Sequence, residues 1–174
     1  AQVIELARRN VDAETGGPFG AAIFESRSGR LVAPGVNRVI PGNCSAAHAE
    51  IIAIMLAQKI CNTYDLGGDG MPAMELVSST EPCAMCLGAV VWSGVRRLVC
   101  AARDEDARAI GFDEGPKPEN WADELAQRGI AVVLDRGREE AVAVLERYLS
   151  RGGPIYNARR SARPSPGCRH STPS

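Results

Sequence analysis

Apolar positions along the chain alternate between a helical spacing and a strand spacing, so helices and strands are expected to follow one another. Val3, Leu6, Ala7 and Val11 form a first helical stripe, which the breaker run Gly16-Gly17-Pro18 ends. Two strands are predicted next, Ala21–Glu25 and Leu31–Val36, joined by the turn-like Ser26–Arg30. From Ala46 to Lys59 the spacing predicts a helix with Ser45 at its N-cap. Its Ile51, Ile52, Ile54, Met55 and Leu56 leave it apolar nearly all round, and burial on every side is expected. A polar, glycine-rich loop, Asn62–Pro72, leads to a strand at Glu75–Ser79. Helix Cys83–Ser93, strand Leu98–Ala101, helix Glu119–Arg128, strand Ile130–Leu134 and helix Glu139–Ser150 complete the pattern.

Strands alternating with helices argue an α/β domain whose sheet is mostly parallel and covered on both faces. The chain has 174 residues, and neither a repeat nor a long linker interrupts it before residue 158, so residues 1–158 read as one domain. Residues 159–174 are rich in Arg, Pro and Ser without periodicity, and a disordered tail is expected there.

Composition sharpens this picture in three ways. With 45% hydrophobic and 24% charged residues the chain can bury a core; it has no run long enough to span a membrane and no export leader, which makes a cytoplasmic, non-membrane protein the expectation. The net charge of −1 conceals five arginines from Arg151 onward with no acid among them, which leaves residues 1–150 at −6. An acidic body repels phosphates, so a nucleic-acid partner is disfavoured. The six cysteines are too sparse for a disulfide scaffold, and reduced thiols point to metal binding, catalysis or packing.

Candidate chemistry concentrates in HAE at His48–Glu50 and EPCAMC at Glu81–Cys86. A catalytic zinc site takes three nitrogen or sulfur ligands and keeps a fourth position open; His48, Cys83 and Cys86 supply that set. Cys83 and Cys86 stand three apart and can project from one helix face, in a first turn whose dipole favours thiolate. His48 and Glu50, two apart, cannot share a site on the side of a helix but can share one at its tip. Two thiolates and a neutral imidazole already balance the charge of a zinc ion. Glu50 is then free to move protons for water that the metal has acidified.

Other chemistry fits parts of this pattern. A CxxC that opens a helix after a strand also describes a thioredoxin-like redox site. A closed structural zinc site would need Cys44 as a fourth ligand, and a zinc-stabilised binding protein would need no catalysis at all. Cys100 reads as a core thiol, and Cys61 and Cys168 as free thiols in a loop and the tail.

H-x-E followed by P-C-x-x-C is the signature of the zinc-dependent nucleobase deaminases. The chain resembles the cytidine/deoxycytidylate deaminase superfamily over about residues 1–157. Within it, GGPFG at Gly16–Gly20, Asn37 eleven residues before His48, EPCAMCLGAVVW ending in Trp92, and GFDE at Gly111–Glu114 resemble bacterial guanine deaminases. The resemblance implies a three-layer α-β-α sandwich with a central five-stranded mixed sheet, one zinc per chain and a homodimer. It also implies Glu50 as proton shuttle, Glu114 as a second acidic residue over the substrate, Asn37 and the backbone at Ala49 orienting the base, and Phe19 and Trp92 lining the pocket. The implied reaction is deamination of guanine to xanthine and ammonia. A small s-triazine such as ammeline is the alternative, then cytosine or cytidine, with tRNA adenosine deamination behind them. Two departures stand out: CSAA at Cys44–Ala47 where proline and threonine are usual before the HAE motif, and GGPIYNA at Gly152–Ala158 in place of the usual guanine-deaminase terminus, on which the lid over the substrate depends.

Overall fold

The computed structural model describes residues 1–157; the predicted tail, and Cys168 with it, lies outside the described residues. Five strands, β1 (Gly20–Glu25), β2 (Leu31–Val36), β3 (Met74–Thr80), β4 (Arg97–Ala102) and β5 (Ala131–Val133), form one sheet in the order β2-β1-β3-β4-β5. β1 runs antiparallel to both β2 and β3, whereas β3, β4 and β5 are mutually parallel. The sheet is therefore mixed. The turn at residues 26–30 makes β1 and β2 a hairpin, and only the strands linked through helices can run parallel.

Alternate residues of β1 separate the two faces. Ala21 and Ile23 join a core with helices α2 (Ala49–Cys61), α3 (Ala84–Ser93) and α5 (Trp121–Gln127), while Ala22 and Phe24 join one with α1 (Gln2–Asp12), α4 (Asp104–Ala109) and α6 (Arg138–Ser150). The result is the expected α-β-α sandwich. On α1 the buried face is Val3, Ile4, Ala7, Asn10 and Val11, with Leu6 only half-buried. Helix α4, six residues and three of them acidic in its first turn, carries too little apolar period to have been visible in the sequence.

Two expectations change. Helix α2 begins at Ala49 rather than Ala46, because residues 37–47 form a loop closed by Arg38 N–H to Ala47 C=O; His48, not Ser45, takes the N-cap with an extended backbone. Nor is α2 buried all round: Met55 and Ile60 are 63% and 62% exposed, because only one side of the helix meets the sheet. Its last residue is Cys61, which was expected in a loop. No helix of the described residues is long and apolar enough to cross a membrane.

Candidate active site

The hairpin brings four chain segments to one edge of the sheet. Antiparallel β1 starts at the edge where β2, β3 and β4 end, so Phe19, Asn37, Glu81–Cys86 and Glu114 all emerge on the same side. This is the crevice outside the carboxyl ends of strands where α/β proteins place ligands. Phe19, Asn37, Glu81, Cys83 and Glu114 line a cavity of about 330 Å³ together with His48 and Glu50.

Helices α2 and α3 meet there by their N-termini. His48 and Cys83 are the two N-cap residues, and Cys86 lies within the first turn of α3. The Nδ1 atom of His48 is 3.5 Å from Sγ of Cys83 and 3.5 Å from Sγ of Cys86, and the three ligand atoms lie within 4.8 Å of one another. Tetrahedral zinc, with Zn–S near 2.3 Å and Zn–N near 2.0–2.1 Å, sets such atoms about 3.6 Å apart. The residues present therefore fit the metal in donor type, number and spacing.

Mutual hydrogen bonds and burial shift the titration of all three groups. The Cys83 thiol is brought down to about 4 by the hydrogen bond from Cys86, against burial and with help from His48. Cys86 is driven up as the proton donor to Cys83 and by burial. Burial works to lower His48, but its hydrogen bond with Cys83 and the charge of Glu50 leave it raised. Zinc held by these residues would bind both thiols as thiolates, since a coordinating thiol is deprotonated. Cys44 is exposed and is not part of the cluster, so no closed four-ligand site forms with it.

Glu50, one residue into α2 beyond Ala49, is buried on the floor of the cavity, where burial and the neighbouring Cys83 push its carboxyl upward; Ser78 Oγ donates to it at 3.4 Å. Glu114 faces the cavity from the loop after α4. Its own carbonyl accepts the Ala84 N–H at 2.9 Å, and burial, followed by Cys83 and Glu50, lifts its carboxyl to about 8.

Asn37 is 1% exposed. Its N–H donates to Phe19 C=O at 3.0 Å and its Oδ1 accepts the Val39 N–H at 3.2 Å. That leaves Nδ2 buried with no partner among the described residues. A buried donor left unpaired in a cavity wall is available to an acceptor on a ligand. Phe19 lines the cavity and packs edge-on against Phe112 at 5.0 Å.

Trp92 and Ala49 are not among the residues that line the cavity. Trp92 is 84% exposed and lies with Met55 in a shallow groove between α2 and α3; two turns along α3 from Cys86, it points away from the helix tip where the cavity is. Ala49 is fully buried and does not line the cavity; its carbonyl packs against Gly35 of β2.

The structure adds residues that sequence reasoning missed. The segment after α6 returns over the site of its own chain: Asn157 accepts from the Asp113 N–H at 2.9 Å and donates to Gly111 C=O at 2.8 Å, and Tyr156 lies on Phe112 at 4.9 Å. The Tyr156 hydroxyl, like Asn37 Nδ2, is buried without a partner among the described residues. Behind the cavity, Lys117 donates to Pro82 C=O at 3.2 Å and pairs with Glu81 at 3.4 Å and Asp104 at 3.1 Å, with the Trp121 ring 4.9 Å away. It clamps the turn that carries Cys83. No sequence signal marked Lys117, since an isolated lysine in a proline-rich loop is ordinarily solvated.

Comparison with known proteins supplies the remaining findings. Residues 1–102 match the family model of the cytidine and deoxycytidylate deaminase zinc-binding region. The guanine deaminase of Bacillus subtilis is 40% identical over 113 residues, which is 65% of this chain and 68% of that protein. A crystal structure of guanine deaminase from Nitrosomonas europaea superposes with a TM-score of 0.84 at 59% identity, over 86% of this chain and 81% of that one. A structure of a protein in complex with 2,6-diaminopurine gives a TM-score of 0.85 at 60% identity, over 91% and 83% of the two chains.

Proposed function

The chain belongs to the cytidine and deoxycytidylate deaminase family, and from that premise we propose that it hydrolyses guanine to xanthine and ammonia. The choice of a free base is carried by the cavity lining. Among the described residues no lysine or arginine faces the cavity, whereas Glu50, Glu81, Asp113 and Glu114 do. A nucleotide or an RNA brings phosphates, which such a lining repels. A neutral purine suits it, and a cavity of about 330 Å³ holds a free base. The names of its relatives narrow the base to guanine.

His48, Cys83 and Cys86 hold the zinc. When bound, the metal supplies the positive charge that acidifies water to a nucleophile near neutral pH. Asn37 Nδ2 donates to an acceptor on the ring and fixes the base, with Phe19 and Phe112 against its apolar surface. Glu50 takes the proton released from water and delivers it to the ring nitrogen beside the amino-bearing carbon, as oxygen bonds to that carbon. Glu50 then takes the remaining hydroxyl proton and passes it, directly or by replacing one given by Glu114, to the amino nitrogen; the bond from carbon to that nitrogen breaks as the C=O forms, and ammonia leaves. Glu114 suits that second role because burial, then the nearby Cys83 and Glu50, lift its carboxyl to about 8 and favour its protonated form. Tyr156 and Asn157 cover the base and keep bulk water out.

A homodimer fits the same reading. α2 and α3 expose Met55, Leu56, Ile60, Met85 and Trp92 as an apolar face that a second copy would cover. Ammonia release measured over guanine, ammeline, cytosine, cytidine, adenine and an RNA hairpin tests the substrate. Guanine is expected to be fastest. Preference for ammeline or a pyrimidine would overturn the guanine reading, and preference for the hairpin would overturn the free-base reading.

A further inference from the structure

Asn10 stands where the pattern of α1 demands an apolar residue. It is 3% exposed among Val3, Ile4, Ala7 and Val11 on the face of α1 that meets the sheet. An asparagine is a poor helix former in such a place, and a buried amide is costly unless it is hydrogen-bonded.

This amide is bonded at both ends. Its Nδ2 donates to Gly17 C=O at 2.8 Å and to Asn37 C=O at 2.9 Å, while its Oδ1 accepts from Thr15 Oγ1 at 2.8 Å. The two carbonyls belong to two walls of the cavity, the segment before β1 and the segment after β2. The approach is close enough that a Cβ at Gly16 would fall on the Asn37 carbonyl oxygen and crowd the Asn10 amide, so a glycine is required there.

The consequence lies in what remains of Asn37. Its carbonyl is held by Asn10, its N–H by Phe19 and its Oδ1 by Val39. With those atoms anchored, the amide is held in one orientation and Nδ2 is left as its unpaired donor, in a residue that lines the cavity. A donor held this way loses little freedom when a base arrives, which is the advantage of preorganisation.

We propose that Asn10 is a positioning residue: by bridging Gly17 and Asn37 it fixes the donor through which Asn37 selects the base. The proposal rests on the reading that an aminated base enters this cavity and meets Asn37.

The test uses the zinc-loaded full chain and whichever base of the panel the wild type deaminates fastest. Asn10→Leu fills nearly the same volume and removes both donors. KM is expected to rise about tenfold with kcat changed less than about threefold, the pattern of a lost contact shared by ground and transition states. Thr15→Val, at an exposed residue, removes only the anchor of Oδ1 and is expected to raise KM about two- to threefold; it keeps the proposal testable if Asn10→Leu fails to fold. In an Asn37→Ala background, Asn10→Leu should add no further rise in KM. A crystal structure of the Asn10 or Thr15 variant should show Asn37 Nδ2 displaced. Unchanged KM, full additivity with Asn37→Ala, or an unmoved Asn37 would each overturn the proposal. A wild type that releases ammonia from no base would overturn the reading of the cavity instead, and the position of Asn37 in the variant crystal then decides the positioning claim separately.

Discussion

Glu50 and Glu114, two of the carboxyl groups that face the cavity, sit in different surroundings, and the proposed roles follow those surroundings. Glu50 sits beside the ligand cluster but belongs to no ligand set, so Glu50→Ala should retain one zinc per chain by metal analysis while ammonia release falls by at least about 10²–10⁴-fold. Loss of the metal in that variant would make Glu50 a ligand instead. Glu114 has a folded-state carboxyl near 8, above its value in the unfolded chain, so the folded state binds the extra proton. Folding stability therefore falls as pH rises from the unfolded value through about 8. Glu114→Gln, neutral at every pH, is expected to raise Tm at pH 8–9 and to leave it nearly unchanged at pH 5, while activity drops about tenfold or more. Equal Tm differences at both pH values would show that burial does not govern this carboxyl.

At the scale of elements, the site depends on where two helices begin. His48 and Cys83 have extended backbones at the N-caps of α2 and α3, which turn their side chains toward one another beyond both helix tips. Starting α2 at Ala46, as its apolar spacing suggested, would carry His48 into the helix and away from Cys83. The height of α2 above the sheet is set by Gly35 of β2, where a Cβ would fall on the carbonyl oxygen of Ala49 and near the N–H of Ala53. Gly35→Ala should therefore lift the first turn of α2, and with it His48 and Glu50. A loss of roughly 1–3 kcal/mol by denaturant unfolding, with weaker zinc retention against a chelator, is the expected result. Wild-type zinc retention in that variant would mean that α2 is not seated by this contact.

For the molecule as a whole, the exposed apolar face of α2 and α3 predicts self-association. Trp92→Glu and Met55→Glu, both on that face and both remote from the ligand cluster, should shift sedimentation from dimer to monomer, and a wild type that sediments as a monomer would remove the basis for the dimer. The zinc set and Glu50 were legible in the chain because each short motif brings its own geometry: a CxxC on a helix start and an HAE at a helix tip. The α/β alternation was legible because periodicity follows local burial. Helix α4 escaped for want of an apolar period, and Trp92 lies outside the lining of this cavity because its spacing reports a helix face but not what that face meets. Asn10, Lys117, Tyr156 and Asn157 act on groups distant in sequence, Asn10 on Asn37, Lys117 on Pro82 and Asn157 on Gly111 and Asp113. Local pattern thus specified the candidate metal cluster and the kinds of elements around it. Only the folded chain decided which wall each residue joins, because β1 of the hairpin pairs antiparallel with β3 and so brings Phe19, Asn37, Cys83 and Glu114 to one edge, and no local spacing encodes that long-range pairing.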